Sequence, residues 1–141
     1  MLLFTDKYPD ADKAGAIPSE IMKEIVACLQ GEGGISLVEV ISVGAGKLMA
    51  IVKRGEDTGI ARHIDIRLLP SDAEVFGRFY FTSGRVFNQM VRAHAKQQGY
   101  KLNEFGLYDL RKRGERVQGL DSEEKIMAYI GLNYVPMNKR R

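Results

Sequence analysis

ARHIDIRLLP (61–70), followed by GRFYFTSGRVFNQMVRAHA (77–95), holds the two patterns that divide this chain into a sheet-bearing part and a helical part. In the first, Ile64, Ile66 and Leu68 alternate with His63, Asp65 and Arg67, the period of two that gives a strand one apolar and one polar face. A carboxylate in a strand that reads as buried costs free energy unless a cation meets it, so Asp65 points to a metal ion or a partner cation. Arg67 is the purely structural candidate for that cation. In the second segment, Tyr80, Phe81, Arg85, Asn88 and Arg92 string rings, an amide and guanidinium groups along helical sequence. Flat rings suit sugar and base faces; Asn and Arg suit base edges and phosphate.

Working outward, MLLFT (1–5) reads as a short strand and the segment from Ser19 to about Gln30 as a helix. Ile21, Ile25, Cys28 and Leu29 fall on one face of that helix, and the glycines at 31, 33 and 34 stop it. ISLVEVISV (35–43) and KLMAIVKR (47–54) read as a returning pair of strands, and GEDTG (55–59) as a turn before the strand over 60–69. After Pro70, Ser71-x-x-Glu74 has the form of a capping box for a helix to about Phe81. Thr82-Ser83-Gly84 breaks the chain, and a second helix covers 85–98, with Phe87, Met90, Val91 and His94 inward and Asn88 and Arg92 together on another face. A small hairpin over 100–110, a basic turn over 111–119, a helix over 123–130 with Ile126, Tyr129 and Ile130 inward, and a basic tail complete the pass. The fold class is α+β: a partial mixed or antiparallel sheet with a packed helix (1–82), then a small helical subdomain with a short hairpin (83–141).

The net charge of +3 conceals an asymmetry. Residues 1–75 carry 8 basic against 12 acidic side chains, a net of −4, and residues 76–141 carry 13 against 6, a net of +7. A basic half beside an acidic one suits a protein that faces a polyanion on one side, although a solubilising basic tail gives the same count. One cysteine, Cys28, excludes an internal disulfide framework and zinc-type cysteine clusters. No apolar run approaches the roughly 20 residues of a membrane span, and Asp6 arrives too early for a signal peptide, so an intracellular protein is expected, nuclear, cytoplasmic or viral.

RHIDIRLLP, RFYFTSGRVFNQMVRAHAKQQGYKLNEFGLY and DSEEKIMAYIGLNYVP together resemble the C-terminal part of a family X DNA polymerase, the polymerase beta group. The likeness runs colinearly through almost the whole chain and is weakest before residue 35. It implies a palm sheet in the first part and a nucleotide-selecting thumb, also called fingers, in the second. It also implies two-metal phosphoryl transfer by the parent enzyme, gap-filling nucleotidyl transfer in DNA repair such as base excision repair. Asp65 then corresponds to the third metal aspartate, beside the primer 3′-OH. The two partner aspartates and the residues that cradle the triphosphate belong to polypeptide upstream. Asp10-Ala-Asp12, the chain's only Asp-x-Asp, has no Gly-Ser cradle before it and reads as solvated loop charge.

By the same resemblance Tyr80 and Phe81 pack on the sugar of the incoming nucleotide and disfavour a 2′-OH. Ser83, Gly84 and Arg85 border that nucleotide, Asn88 reaches the minor-groove edge of its base, and Arg92 reaches the template minor groove. His63, Arg67, Lys96, Asn103 and Glu104 are the further DNA contacts. Minor-groove acceptors are nearly common to all base pairs, so contacts there check geometry without reading sequence. The family's Gly-Ser after Phe-Thr, a bond that tends to be cis there, is Ser83-Gly84 here, and Arg85 stands where an acidic residue is common. The implied partners are primer-template or gapped DNA, a dNTP and the upstream part of the polymerase, with two Mg²⁺ in the intact parent and little binding of Mg²⁺ by this chain alone. The alternatives are a non-catalytic DNA- or nucleotide-binding module and a structural domain on the same fold. In those readings Tyr80 and Phe81 are core, and Asn88 and Arg92 a solvated helix face.

Overall fold

The alternation in residues 62–70 forms strand β4 (Arg62–Pro70), with Ile66 and Leu68 buried, Ile64 half-buried, and His63 and Asp65 exposed on the opposite face. The computed structural model describes residues 1–6, 19–30, 35–54 and 60–141. The loop with Asp10-Ala-Asp12, the glycines at 31–34 and the expected turn over 55–59 lie outside the described residues. Two compact units, Met1–Leu69 and Pro70–Arg141, make an α+β chain.

In the first unit the order of strands is β1 (Leu2–Thr5), β4, β3 (Lys47–Arg54), β2 (Ile35–Gly44). Strands β2 and β3 are antiparallel, as are β3 and β4, with Asp65 opposite Met49 and Arg67 opposite Lys47. Met1 instead straddles Ile66, its amino group donating to the Asp65 carbonyl and its carbonyl accepting from Arg67 N at 2.9 Å, the pattern of a parallel pair. One face of the sheet packs Leu48, Ala50, Ile66 and Leu68 against helix α1 (Ser19–Gln30). That helix inserts Met22, fully buried, with Ile21, Ile25, Val26 and Leu29 beside it. Cys28 is exposed, contrary to the expected inward placing. The apolar stripe is carried by Met22 and Val26, which are four apart, and Cys28 lies two residues from Val26, off the stripe. Strand β2 is an edge strand and bulges at Leu37/Glu39 and Val40/Ser42, irregularities that spoil an edge for further pairing.

The second unit begins at Pro70, not at the expected 82/83, because helix α2 (Glu74–Thr82) gives Phe76 and Phe79 to its core. The Ser71–Glu74 capping box does not form. A single 3-10 turn (Ser71–Ala73) precedes α2, and Ala73, which has no side-chain acceptor, takes the N-cap position. Helix α3 (Arg85–Gln97) follows after Ser83 and Gly84. Val91 and Ala95 are its buried residues, Phe87 and His94 are half-buried, and Met90 is 65% exposed instead of inward. Positions 87, 91 and 95 repeat at four, and Met90 falls outside that stripe.

A small sheet follows, β5 (Tyr100–Leu102), β6 (Leu107–Asp109) and β7 (Glu115–Arg116), all antiparallel. Gly99 (φ +84°) makes the turn out of α3 that a side chain would strain. Helix α4 (Glu123–Tyr129) is capped by Ser122, whose hydroxyl accepts from Lys125 N at 3.2 Å. It buries Ile126, Met127 and, just beyond its end, Ile130; Tyr129, expected inward, is 46% exposed and packs edge-on against Tyr100. The end of the chain is no free basic tail: a 3-10 turn (Met137–Lys139) carries Arg140 into the core, where it is 1% exposed.

Candidate functional site

Asp65 lies on the polar face of β4, exposed beside His63, with half-buried Arg67 two residues on. The strand gives that face no burial penalty, so a cation is not needed to balance a buried charge. Among the described residues no three His, Cys, Asp or Glu side chains gather at a place that could hold a metal ion. A centre of two divalent ions demands several carboxylate oxygens. On that face of β4 Asp65 offers one carboxylate.

The second unit holds a more complete arrangement. Tyr80, Phe81, Ser83, Arg85, Asn88, Gln89 and Arg92 line one cavity of about 480 Å³. Two helices converge to build it. Tyr80 and Phe81 come from the last turns of α2, and Arg85, Asn88, Gln89 and Arg92 from successive turns of α3. The rings of Tyr80 and Phe81 meet edge to face, 5.0 Å between centroids, and the Arg92 guanidinium lies 5.8 Å from the centre of the Tyr80 ring. Two guanidinium groups and no carboxylate line the cavity, so it favours an anionic occupant.

Asn88 is the brace between the helices. Its Nδ2 donates to the Tyr80 carbonyl at 2.8 Å and to the Ser83 carbonyl at 3.1 Å. A carboxamide has two N–H donors, and both are engaged. In this conformation Asn88 therefore offers Oδ1 alone, an acceptor, whereas the minor-groove edge expected of it is mostly acceptors. Gly84 does not line the cavity; its N–H donates to the Arg140 carbonyl at 2.5 Å. Every peptide bond among the described residues is trans, Ser83–Gly84 included.

A second cavity, about 410 Å³, is lined by Arg92, Ala93, Lys96, Tyr100, Lys101, Leu102 and Leu110. It places Lys96 with Arg92 and adds Lys101, three cations around an apolar floor. Arg111 closes over Tyr100, its guanidinium 4.7 Å from the ring centre. Arg111 also donates to Asp109, from N and Nε at 3.0 Å each, and the Asp109 carboxyl is held below the usual carboxylate range by that hydrogen bonding.

Asn103 and Glu104 lie in the β5–β6 turn. The Asn103 Oδ1 accepts from Phe105 N at 2.9 Å and Gly106 N at 3.0 Å, so its oxygen builds the turn. Glu104 is half-buried. His94 Nε2 faces the Ile130 carbonyl at 2.8 Å, which only an N–H can satisfy, and it therefore packs as a helix-joining residue. Sequence reasoning missed Gln89, which follows Asn88 and could have been found from helix position. It also missed Lys101, and Arg140, whose charged neighbours gave no signal of burial.

Residues 77–141 match the family model described as DNA polymerase beta thumb. The chain is 26% identical over 89 residues to the DNA polymerase lambda of Arabidopsis thaliana, an alignment that covers 57% of this chain. The chain spans about 17% of the length of that relative.

Proposed function

We propose that this chain is the C-terminal portion of a family X DNA-directed DNA polymerase, the part that grips the incoming nucleotide and the primer-template, a reading supported by the match of residues 77–141 to the DNA polymerase beta thumb model. The observation that carries this reading is the cavity lined together by Tyr80, Phe81, Ser83, Arg85, Asn88 and Arg92. The edge-packed rings present an apolar wall that suits a deoxyribose and crowds a 2′-OH. Arg85 and Arg92 attract the nucleotide's negative charge and stack on flat groups. Asn88 holds the rings in place through the Tyr80 carbonyl, and reaches a base edge only after releasing one of its two backbone bonds.

In a complete polymerase Asp65 would hold Mg²⁺ through one carboxylate, and the remaining ligands would come from upstream polypeptide. His63 and Arg67 flank it on the same face of β4 and suit primer phosphate. Gap filling in DNA repair is the reaction class proposed for the parent enzyme.

Two measurements on the 141-residue chain test the reading. Binding to a gapped DNA duplex should weaken steeply as salt rises, because several phosphate contacts release counterions. Primer extension with Mg²⁺ and dNTPs should be absent. An affinity indifferent to salt would leave the polyanion reading without support, and robust extension would refute the assignment of the missing carboxylates to other polypeptide. A non-catalytic binding module is the second reading, favoured by the engaged state of both Asn88 donors. It predicts the same salt dependence but no loss of turnover when Asp65→Ala is placed in a complete polymerase.

A further inference from the structure

Arg140 stands between two other basic residues near the end of the chain, yet it is 1% exposed. Its Nη2 donates to Glu123 Oε2 at 2.5 Å and its Nε to the Val135 carbonyl at 2.6 Å. The guanidinium carbon lies 4.9 Å from the centre of the Phe79 ring, 5.8 Å from Phe87 and 5.4 Å from Tyr134. Nη1 is buried and has no hydrogen-bond partner among the described residues. A buried ion pair with an unsatisfied nitrogen is a poor way to gain stability, since an apolar side chain of like volume avoids the desolvation. What Arg140 does have is reach. Phe79 directly precedes Tyr80, and Phe87 directly precedes Asn88, so the two rings it bridges adjoin the two residues whose mutual hydrogen bond shapes the cavity. Its backbone closes the same corner, because the Arg140 carbonyl accepts from Gly84 N–H at the bend between α2 and α3. A Cβ on Gly84 would stand 2.7 Å from that oxygen.

We propose that Arg140 is a positioning residue for the Tyr80–Asn88 cavity: it clamps Phe79, Phe87 and Gly84 together and so sets the angle between α2 and α3 at which a nucleotide is received, with Glu123 orienting the guanidinium. The ligand rests on the nucleotide reading above; the clamp does not.

Amide hydrogen exchange in the 141-residue chain tests the clamp, comparing the Gly84 and Asn88 amides with the Val117 amide, which is bonded to the Leu107 carbonyl at 2.8 Å elsewhere in the same unit. Arg140→Met keeps the apolar stem and removes the fork. It should speed exchange at Gly84 and Asn88 by about tenfold or more while Val117 stays within about twofold. Arg140→Lys should behave like Met, since a point-charge ammonium cannot serve an acid, a carbonyl and two ring faces at once. Equal acceleration at all three amides would mark Arg140 as a general stabiliser and overturn the proposal, as would no change at any. If Arg140→Met fails to fold, Glu123→Gln carries the same comparison. Titration with dATP, followed on the Tyr80 ring resonances, supplies the second readout. Weaker binding in the variant supports the positioning role, and unchanged binding despite a loosened Gly84 and Asn88 overturns it. Absence of binding by the wild-type chain refutes the nucleotide reading and leaves the clamp to be decided by exchange.

Discussion

The Asn88 carboxamide reaches back from α3 to donate to the Tyr80 carbonyl at 2.8 Å, joining the two helices whose side chains line the cavity. The bond satisfies a carbonyl near the end of α2, where no following turn supplies an amide. A second bond, to the Ser83 carbonyl, fixes the bend between the helices. A residue expected to touch a base edge is thus first a part of the scaffold that holds the rings.

This gives a stability test separate from activity. Asn88→Asp would aim a carboxylate at two carbonyl oxygens, while Asn88→Ala would merely leave them unpaired. Loss of a half-buried hydrogen bond costs about 1–3 kcal/mol, so both variants should melt lower, the aspartate variant more than the alanine one. A thermal melt of the 141-residue chain by circular dichroism checks it. Equal melting of Asn88→Ala and the wild type would show the brace to be unimportant.

Gly84 makes a second test of the same corner. Its φ of −65° suits any residue, so the demand for glycine is steric and not conformational. A methyl group would meet the carbonyl oxygen of Arg140 at 2.7 Å and the Cα of Arg141 at 2.9 Å, both backbone atoms. Gly84→Ala should therefore displace the chain end at a cost of about 1–3 kcal/mol. Carboxypeptidase should then remove the last residues faster than from the wild type. Digestion at the same rate would mean that the corner yields elsewhere.

The strands and helices were legible because their patterns are local. His63, Asp65 and Arg67 fall on one face of β4 because the pleat alternates, and Ser122 caps α4 because its hydroxyl reaches an amide three residues on. Asp65 reads as buried from its apolar neighbours, since sequence does not say which face of β4 packs against helix α1 and which leaves His63 and Asp65 exposed. Charge misleads at the chain end: KRR reads as solvated, and only the aromatic rings and Glu123, distant in sequence, make a place for Arg140. Asn103 resembles a DNA contact, yet its oxygen closes the turn two and three residues ahead, an arrangement its Asn-x-x-Gly spacing already allowed.

Acid should loosen the second unit through Asp109. The hydrogen bond from the Arg111 side chain pulls this carboxyl below the ordinary range more strongly than burial raises it, and Asp121, bonded by Lys125, is lowered as well. A folded pKa below the unfolded value, near 3.9, means that the carboxylate's stabilisation is complete above about pH 4 and disappears as pH falls through the folded pKa. The melting temperature should therefore hold steady between about pH 7 and 5 and decline below about 4. Asp109→Asn should melt lower at neutral pH and show a shallower acid decline. An acid decline as steep as that of the wild type would assign the effect to other carboxylates.

Arg92 borders both cavities, and Lys96 and Lys101 border one. If all three meet phosphate, each alanine variant should weaken binding to gapped DNA by a similar factor for every sequence and lower the slope of log affinity against log salt by about 1. Arg92 should do more than that, because its guanidinium also lies 5.8 Å from the Tyr80 ring and steadies the nucleotide cavity. Arg92→Lys keeps the charge but not the flat stacking surface, so it should restore the salt slope without restoring affinity for a dNTP. Full recovery of both by lysine would reduce Arg92 to a point charge. Salt slopes unchanged in Lys96→Ala and Lys101→Ala would remove the second cavity from the path of the nucleic acid.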